Sequence, residues 1–164
     1  MKLLLATLLL CFSTLTQAAE TRFDSVYFFQ SQVELEKKGI NVDTFGRYTR
    51  VLQTQIYKAL KKAKMPASAG YLVVAVRSDG EVTCWLDMSP AVDAYYDNQI
   101  YETIKKIPPL NVESGILVFG IKMAIDTAVH TKKAVPAPAE WADAKKKLND
   151  PNNIEELALS LWPE

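Results

Sequence analysis

Tyr71 to Met88, YLVVAVRSDGEVTCWLDM, holds two apolar runs joined across an Asp79-Gly80 step, and its reading decides the fold. Apolar alternation on both sides of a short polar turn with glycine is the pattern of a β-hairpin. Leu72, Val74 and Val76 alternate along the first strand, and Val82, Cys84 and Leu86 along the second. A loop of Asp79 and Gly80 alone pairs Val76 with Thr83 and sends the two apolar sets to opposite faces, because a one-residue slip inverts every side chain. A loop of Ser78, Asp79 and Gly80 pairs Val76 with Val82 and Val74 with Cys84, so both sets share a face. The reading is a type I turn followed by Gly80 at positive φ in a G1 bulge, a conformation open to a residue without a Cβ. Trp85 and Asp87 then lie opposite Cys84, where an exposed Trp85 is a candidate binding hot spot.

Amphipathic helices flank the hairpin. From Asn41 to Lys64, Phe45, Tyr48, Leu52, Ile56 and Leu60 recur at helical spacing, with Asp43 or Thr44 as the cap and Pro66 as the stop. Lys58, Lys61, Lys62 and Lys64 gather at its end, where carbonyl dipoles favour cations; they read as a solvated helix end, with an acidic-partner patch as the functional alternative. After the Ser89-Pro90 break, Tyr96, Ile100, Ile104 and Ile107 form a second stripe, with Asp93 or Asp97 at its start and Pro108-Pro109 at its end. Gly115 to Ile125, GILVFGIKMAI, reads as a third strand, with Gly120 a bulge or close-approach point. The helix between the second and third strands is a crossover, so the first strand lies between them. The expected fold is α+β: a three-stranded antiparallel sheet, order 2-1-3, with two packed helices and a helical C-terminal tail.

This places the domain at 41–126. The lead-in at 20–40 reads as a helix over Thr21 to Lys38 ending before Gly39, or as an ordered non-helical segment. At 127–164, a VPAPAE linker and two short helices separated at Asp150-Pro151 form a tail that docks on the domain or serves as a partner-binding peptide. Docking is favoured, since Trp141, Leu157, Leu161 and Trp162 are costly to leave in water. Residues 1–19, with Lys2, an apolar run from Leu3 to Leu15 and a small-residue end, read as a secretory signal too short to span a membrane. Lipidation at Cys11 is the weaker alternative, because Leu10 precedes it.

The chain has 19 basic and 19 acidic residues, and losing Lys2 with the signal leaves 18 against 19. No global field draws it to nucleic acid or anionic lipid. Loss of Cys11 leaves Cys84 alone, so no intramolecular disulfide forms in the exported chain. A nucleophile needs a base within reach, and Cys84 and His130 sit on different elements. Cys84 reads as core and His130 as surface. Asp87, Asp93 and Asp97 can converge near the end of the second strand, though helix capping accounts for Asp93 or Asp97. Neither a metal-ligand cluster nor a phosphate-cradling glycine loop occurs, so no catalytic residue, metal or cofactor is expected.

The order helix, DG hairpin, helix, Pro-Pro, strand resembles the periplasmic C-terminal domain of the TolA and TonB energy-transducing proteins, over about Tyr48 to Ile125. YTRVLQTQIYKALKKAKMP resembles its leading helix, LVVAVRSDGEVTCWLDMS its hairpin, and DNQIYETIKKIPPL the helix closing on prolines. The resemblance implies a periplasmic, non-catalytic domain that binds envelope or secreted proteins by lending a sheet edge to an incoming strand. The lone Cys84 and the short leader depart from the family's disulfide, anchor and spacer, so the expectation is a free-standing relative. The expected binding edge is the third strand, Ile116, Leu117, Val118, Phe119, Gly120 and Ile121, with Asp79 and Gly80 as the structural turn. Two such edges can also pair into a homodimer. The alternative is a secreted inhibitor or immunity-type protein presenting a loop or its tail.

Overall fold

A computed structural model of the protein describes residues 20–163, and the proposed export signal lies outside them. In chain order the elements are β1 (Thr21–Phe28), α1 (Gln32–Lys37), α2 (Val42–Leu60), β2 (Ser68–Arg77), β3 (Val82–Ser89), α3 (Ala94–Lys105), β4 (Ile116–Ile125), α4 (Ala139–Lys145) and α5 (Ile154–Ser160). The hairpin has the expected register, with Val76 opposite Val82 and Val74 opposite Cys84. Gly80 has φ 88°. Its N–H donates to Arg77 O (3.0 Å) while Arg77 N–H donates to Glu81 O (2.9 Å), which closes the loop on Ser78, Asp79 and Gly80.

The expected three-stranded sheet is in fact four-stranded, antiparallel throughout, in the order β1-β4-β2-β3. The three strands read from the sequence keep their expected neighbours, and β1 is the addition. Its segment is a strand where a helix was one of the expectations. The cause lies in a register shift between Phe23 and Val26. A bulge puts an extra residue on one strand and resets the alternation, so Phe23, Val26 and Phe28 face the same core although their spacing of three and two is not that of a regular strand. The helix starts only at Gln32, where Ser31 and Glu34 form a capping box.

Both faces of the sheet are covered. On one, α2 and α3 pack Leu52, Ile56, Ile100 and Ile104 against Leu72, Val74, Phe119 and Ile121, all 0% exposed. The cap of α2 is Asn41 rather than Asp43 or Thr44, its side chain accepting from Asp43 N–H and Thr44 N–H. On the other face the tail docks, with Trp141, Leu157 and Ala158 buried against Tyr71, Val73 and Val118. Gly120 is the close-approach point: a Cβ there would stand 2.8 Å from Pro136 Cγ of the linker. Tyr71 donates its hydroxyl to Lys133 O (2.9 Å), and Asp87 accepts from Ala137 N–H (2.7 Å), so the linker is strapped across β2 and β3.

Candidate functional site

The expected binding edge, Ile116 to Ile121, is not an edge. β4 lies between β1 and β2, with Tyr27 opposite Gly120 and Phe28 opposite Phe119. Where β1 ends, side chains take its place. Gln30 Nε2 donates to Ile116 O (2.6 Å) and Gln30 Oε1 accepts from Val118 N–H (3.0 Å), an amide imitating one more rung of the ladder. Phe29 N–H donates to Val118 O (3.4 Å), and Glu155 of α5 accepts from Ile116 N–H (2.9 Å). The groups that a partner strand or a second copy would have used are thus occupied by the chain itself, which also closes the third-strand route to a homodimer.

The sheet's outer strands are β1 and β3. β1 carries the bulge and two charged residues, Arg22 and Asp24, devices that blunt an edge. β3 runs without a register shift from Val82 to Ser89. Antiparallel ladders alternate bonded and unbonded pairs. With Arg77 bonded to Glu81, the bonded pairs continue as Ala75 with Thr83, Val73 with Trp85 and Tyr71 with Asp87. The N–H and C=O groups of Val82, Cys84, Leu86 and Met88 therefore turn outward, with no strand beside them among the described residues. Val82 to Trp85 are closely covered from the two faces, while Leu86, Asp87 and Met88 are half-buried and Ser89 is exposed, so the edge widens toward its C-terminal end. Asp97 of α3 is held above the ordinary carboxylate range, mainly by desolvation and then by the charge of Glu140 on α4.

Comparison with protein-family models, with curated proteins and with solved structures returned no match. The site is therefore argued from its own geometry. Trp85 is covered rather than exposed: at 9% exposure it stacks edge-on against Trp141, with ring centroids 5.8 Å apart. Asp79 accepts from the Arg77 guanidinium and from Glu81 N–H (3.1 Å), which fixes the turn. Asp87, Asp93 and Asp97 do not converge. Asp87 holds the linker, also pairing with Lys133 Nζ (2.7 Å), while Asp93 caps α3 by accepting from Tyr95 N–H (2.8 Å).

Cys84 is buried under α3, and its thiol is pushed well above the ordinary range by desolvation and secondarily by Asp97's charge. His130, with Nδ1 buried and unpartnered, follows β4, and no hydrogen bond joins it to Cys84. Because a thiolate is the reactive form, a thiol reagent at neutral pH should label Cys84 in the folded chain at least about a hundredfold more slowly than in denaturant, as followed by peptide mass spectrometry. Rapid labelling of the native chain would contradict this packing.

Proposed function

We propose that this is an exported, non-catalytic protein-binding module of the cell envelope, a free-standing relative of the TolA and TonB C-terminal domain, that recruits a partner strand along β3. The observation supporting this reading is the uninterrupted outer edge of β3, with unpaired backbone groups at Val82, Cys84, Leu86 and Met88. Main-chain bonds to such an edge supply affinity, and pockets for alternate side chains supply selectivity. Residues 1–19 supply the export reading, which places the partner in the envelope or outside the cell. Among the described residues, no helix is long and apolar enough to cross a membrane. The inhibitor reading, with a presented tail, draws less support, since Trp141 and Leu157 are 2% and 0% exposed.

Met88→Pro tests the edge. It deletes an outward N–H and no rung of the β2 ladder, so folding is expected to persist. With a photo-crosslinking residue at Leu86 of the full chain in cells, adducts to an envelope protein are expected and should fall about tenfold or more when Met88→Pro is added. Adducts that are absent, or unchanged by the proline while thermal unfolding is also unchanged, would remove β3 as the binding edge. Retention of the chain in the cytoplasmic fraction would remove the export reading.

A further inference from the structure

Six of the chain's 19 basic residues lie on α2 and the turn that follows it, in a stretch free of acids. From Thr44 to Met65 the sequence has Arg47, Arg50, Lys58, Lys61, Lys62 and Lys64, and no acidic residue. Arg47, Arg50, Thr54, Lys58 and Lys61 follow one another at intervals of three and four, so they form one stripe about 21 Å long at 1.5 Å per residue. The opposite face of α2 is the buried one, with Leu52, Ile56 and Leu60 at 0% exposure. The six cations are solvent-exposed, and among the described residues none is in an ion pair. A solvated helix end accounts for the lysines of the last turn. It does not account for Arg47 and Arg50 in the first half, where the helix dipole gives no reward for cations.

The stripe borders a groove. α3 lies along α2, with Gln99 Nε2 donating to Ala59 O (3.1 Å) and Lys64 N–H donating to Tyr96 Oη (2.9 Å). Between the helices opens a cleft of about 590 Å³ whose apolar lining is buried Ile107, half-buried Ala59 and the exposed rims Val51 and Pro108. Lys58 stands on its α2 side and Lys106 on its α3 side; Glu102 is not part of the lining, and Arg50 lies just outside it, on an adjoining hollow that shares Val51 and Gln55.

We infer that this groove is a second docking surface, which takes an acidic segment of a partner protein, its carboxylates on Arg50, Lys58 and Lys106 and its apolar side chains on Val51 and Ile107. Charge complementarity selects an acidic occupant, and a cleft confined between two helices suits a peptide rather than a bilayer. A membrane-binding helix needs its apolar face free, and α2 has buried its own. The chain's undescribed leader is no candidate, because residues 1–19 contain no acid. The surface is independent of the β3 edge.

The test is fluorescence anisotropy with the purified full-length protein and a fluorescein-labelled peptide of repeated Glu-Glu-Leu-Ala units. Oligoglutamate of equal charge and phosphatidylglycerol vesicles serve as comparisons. The Glu-Glu-Leu-Ala peptide is expected to bind more tightly than oligoglutamate and to weaken with salt. The combined variant Arg50→Glu, Lys58→Glu, Lys106→Glu should bind at least about tenfold more weakly and remain folded, with only the small drop in thermal unfolding that follows from reversing the helix-end charges of Lys58 and Lys106. Met88→Pro should bind as the parent does, which separates this surface from the edge. Absence of peptide binding, equal binding of oligoglutamate, indifference to charge reversal, binding of vesicles alone, or self-association of the chain in place of peptide binding would each overturn the proposal.

Discussion

Trp141→Ala should lower the unfolding free energy by about 3 kcal/mol, measured by urea denaturation monitored through the remaining tryptophans. Trp141 is 2% exposed and sits at the centre of the second core, its ring 5.2 Å from Phe29 and 5.8 Å from Trp85. Truncating a buried aromatic side chain forfeits its transfer energy and leaves a cavity, together about 3–5 kcal/mol. The lower end applies because the indole Nε1 has no hydrogen-bond partner, so the alanine also removes an orphan donor that costs about 1–3 kcal/mol. Trp141→Phe separates the two contributions. It keeps much of the ring and loses the orphan N–H, so it should shift stability by less than about 1.5 kcal/mol. If the tail were an appended peptide, Trp141→Ala would leave the unfolding midpoint where it is. The docked tail requires the whole chain to unfold earlier in one transition.

The hairpin was legible because the alternation of its apolar residues and the turn chemistry of Asp79-Gly80 constrain the same register. The second and third strands were placed beside the first for a comparable reason: a crossover helix leaves few ways to arrange them. The candidate edge was misplaced by a different feature of the sequence. ILVFGIKMAI is apolar at nearly every position, and a strand so composed has both faces buried, as β4 does. That pattern describes faces, and it does not report which backbone edge is paired. The partner on that edge was hidden by the β1 bulge, which replaces period-two alternation with a spacing that reads as helical. Ser31-x-x-Glu34 was the available correction, since a capping box there puts the helix start at Gln32, eleven residues later than Thr21. Trp85's cover and the Gln30 rung depend on chain-distant partners, 56 and 88 positions away at Trp141 and Val118, and no local pattern encodes them.

The clamp that closes the start of β4 carries the other large effect. Lys38 is 6% exposed, and its ammonium donates to Glu155 Oε1 (2.5 Å) and to Ser114 O (3.3 Å). Glu155 Oε2 accepts from Ile116 N–H (2.9 Å), so one carboxylate serves a buried cation and a strand amide together. Glu155→Ala removes both partners at once. Breaking a buried pair by deleting one member costs about 3–5 kcal/mol, because the other charge stays desolvated. The side chain of Glu155 is 35% exposed, so water can reach part of the vacated site and about 3 kcal/mol is expected. Lys38→Met with Glu155→Ala should recover much of that loss, since the stranded charge is gone, and the double-mutant cycle would then show strong coupling. The local signature is hydrogen exchange at Ile116, which should accelerate in Glu155→Ala and stay fast in the double variant, because neither restores the acceptor. Additive stabilities with slow exchange at Ile116 would mean that the ion pair is ornamental. The coupled outcome would show that β4 is withheld from outside strands by side chains of α5 as well as by β1, which leaves β3 as the long unbroken edge for a partner.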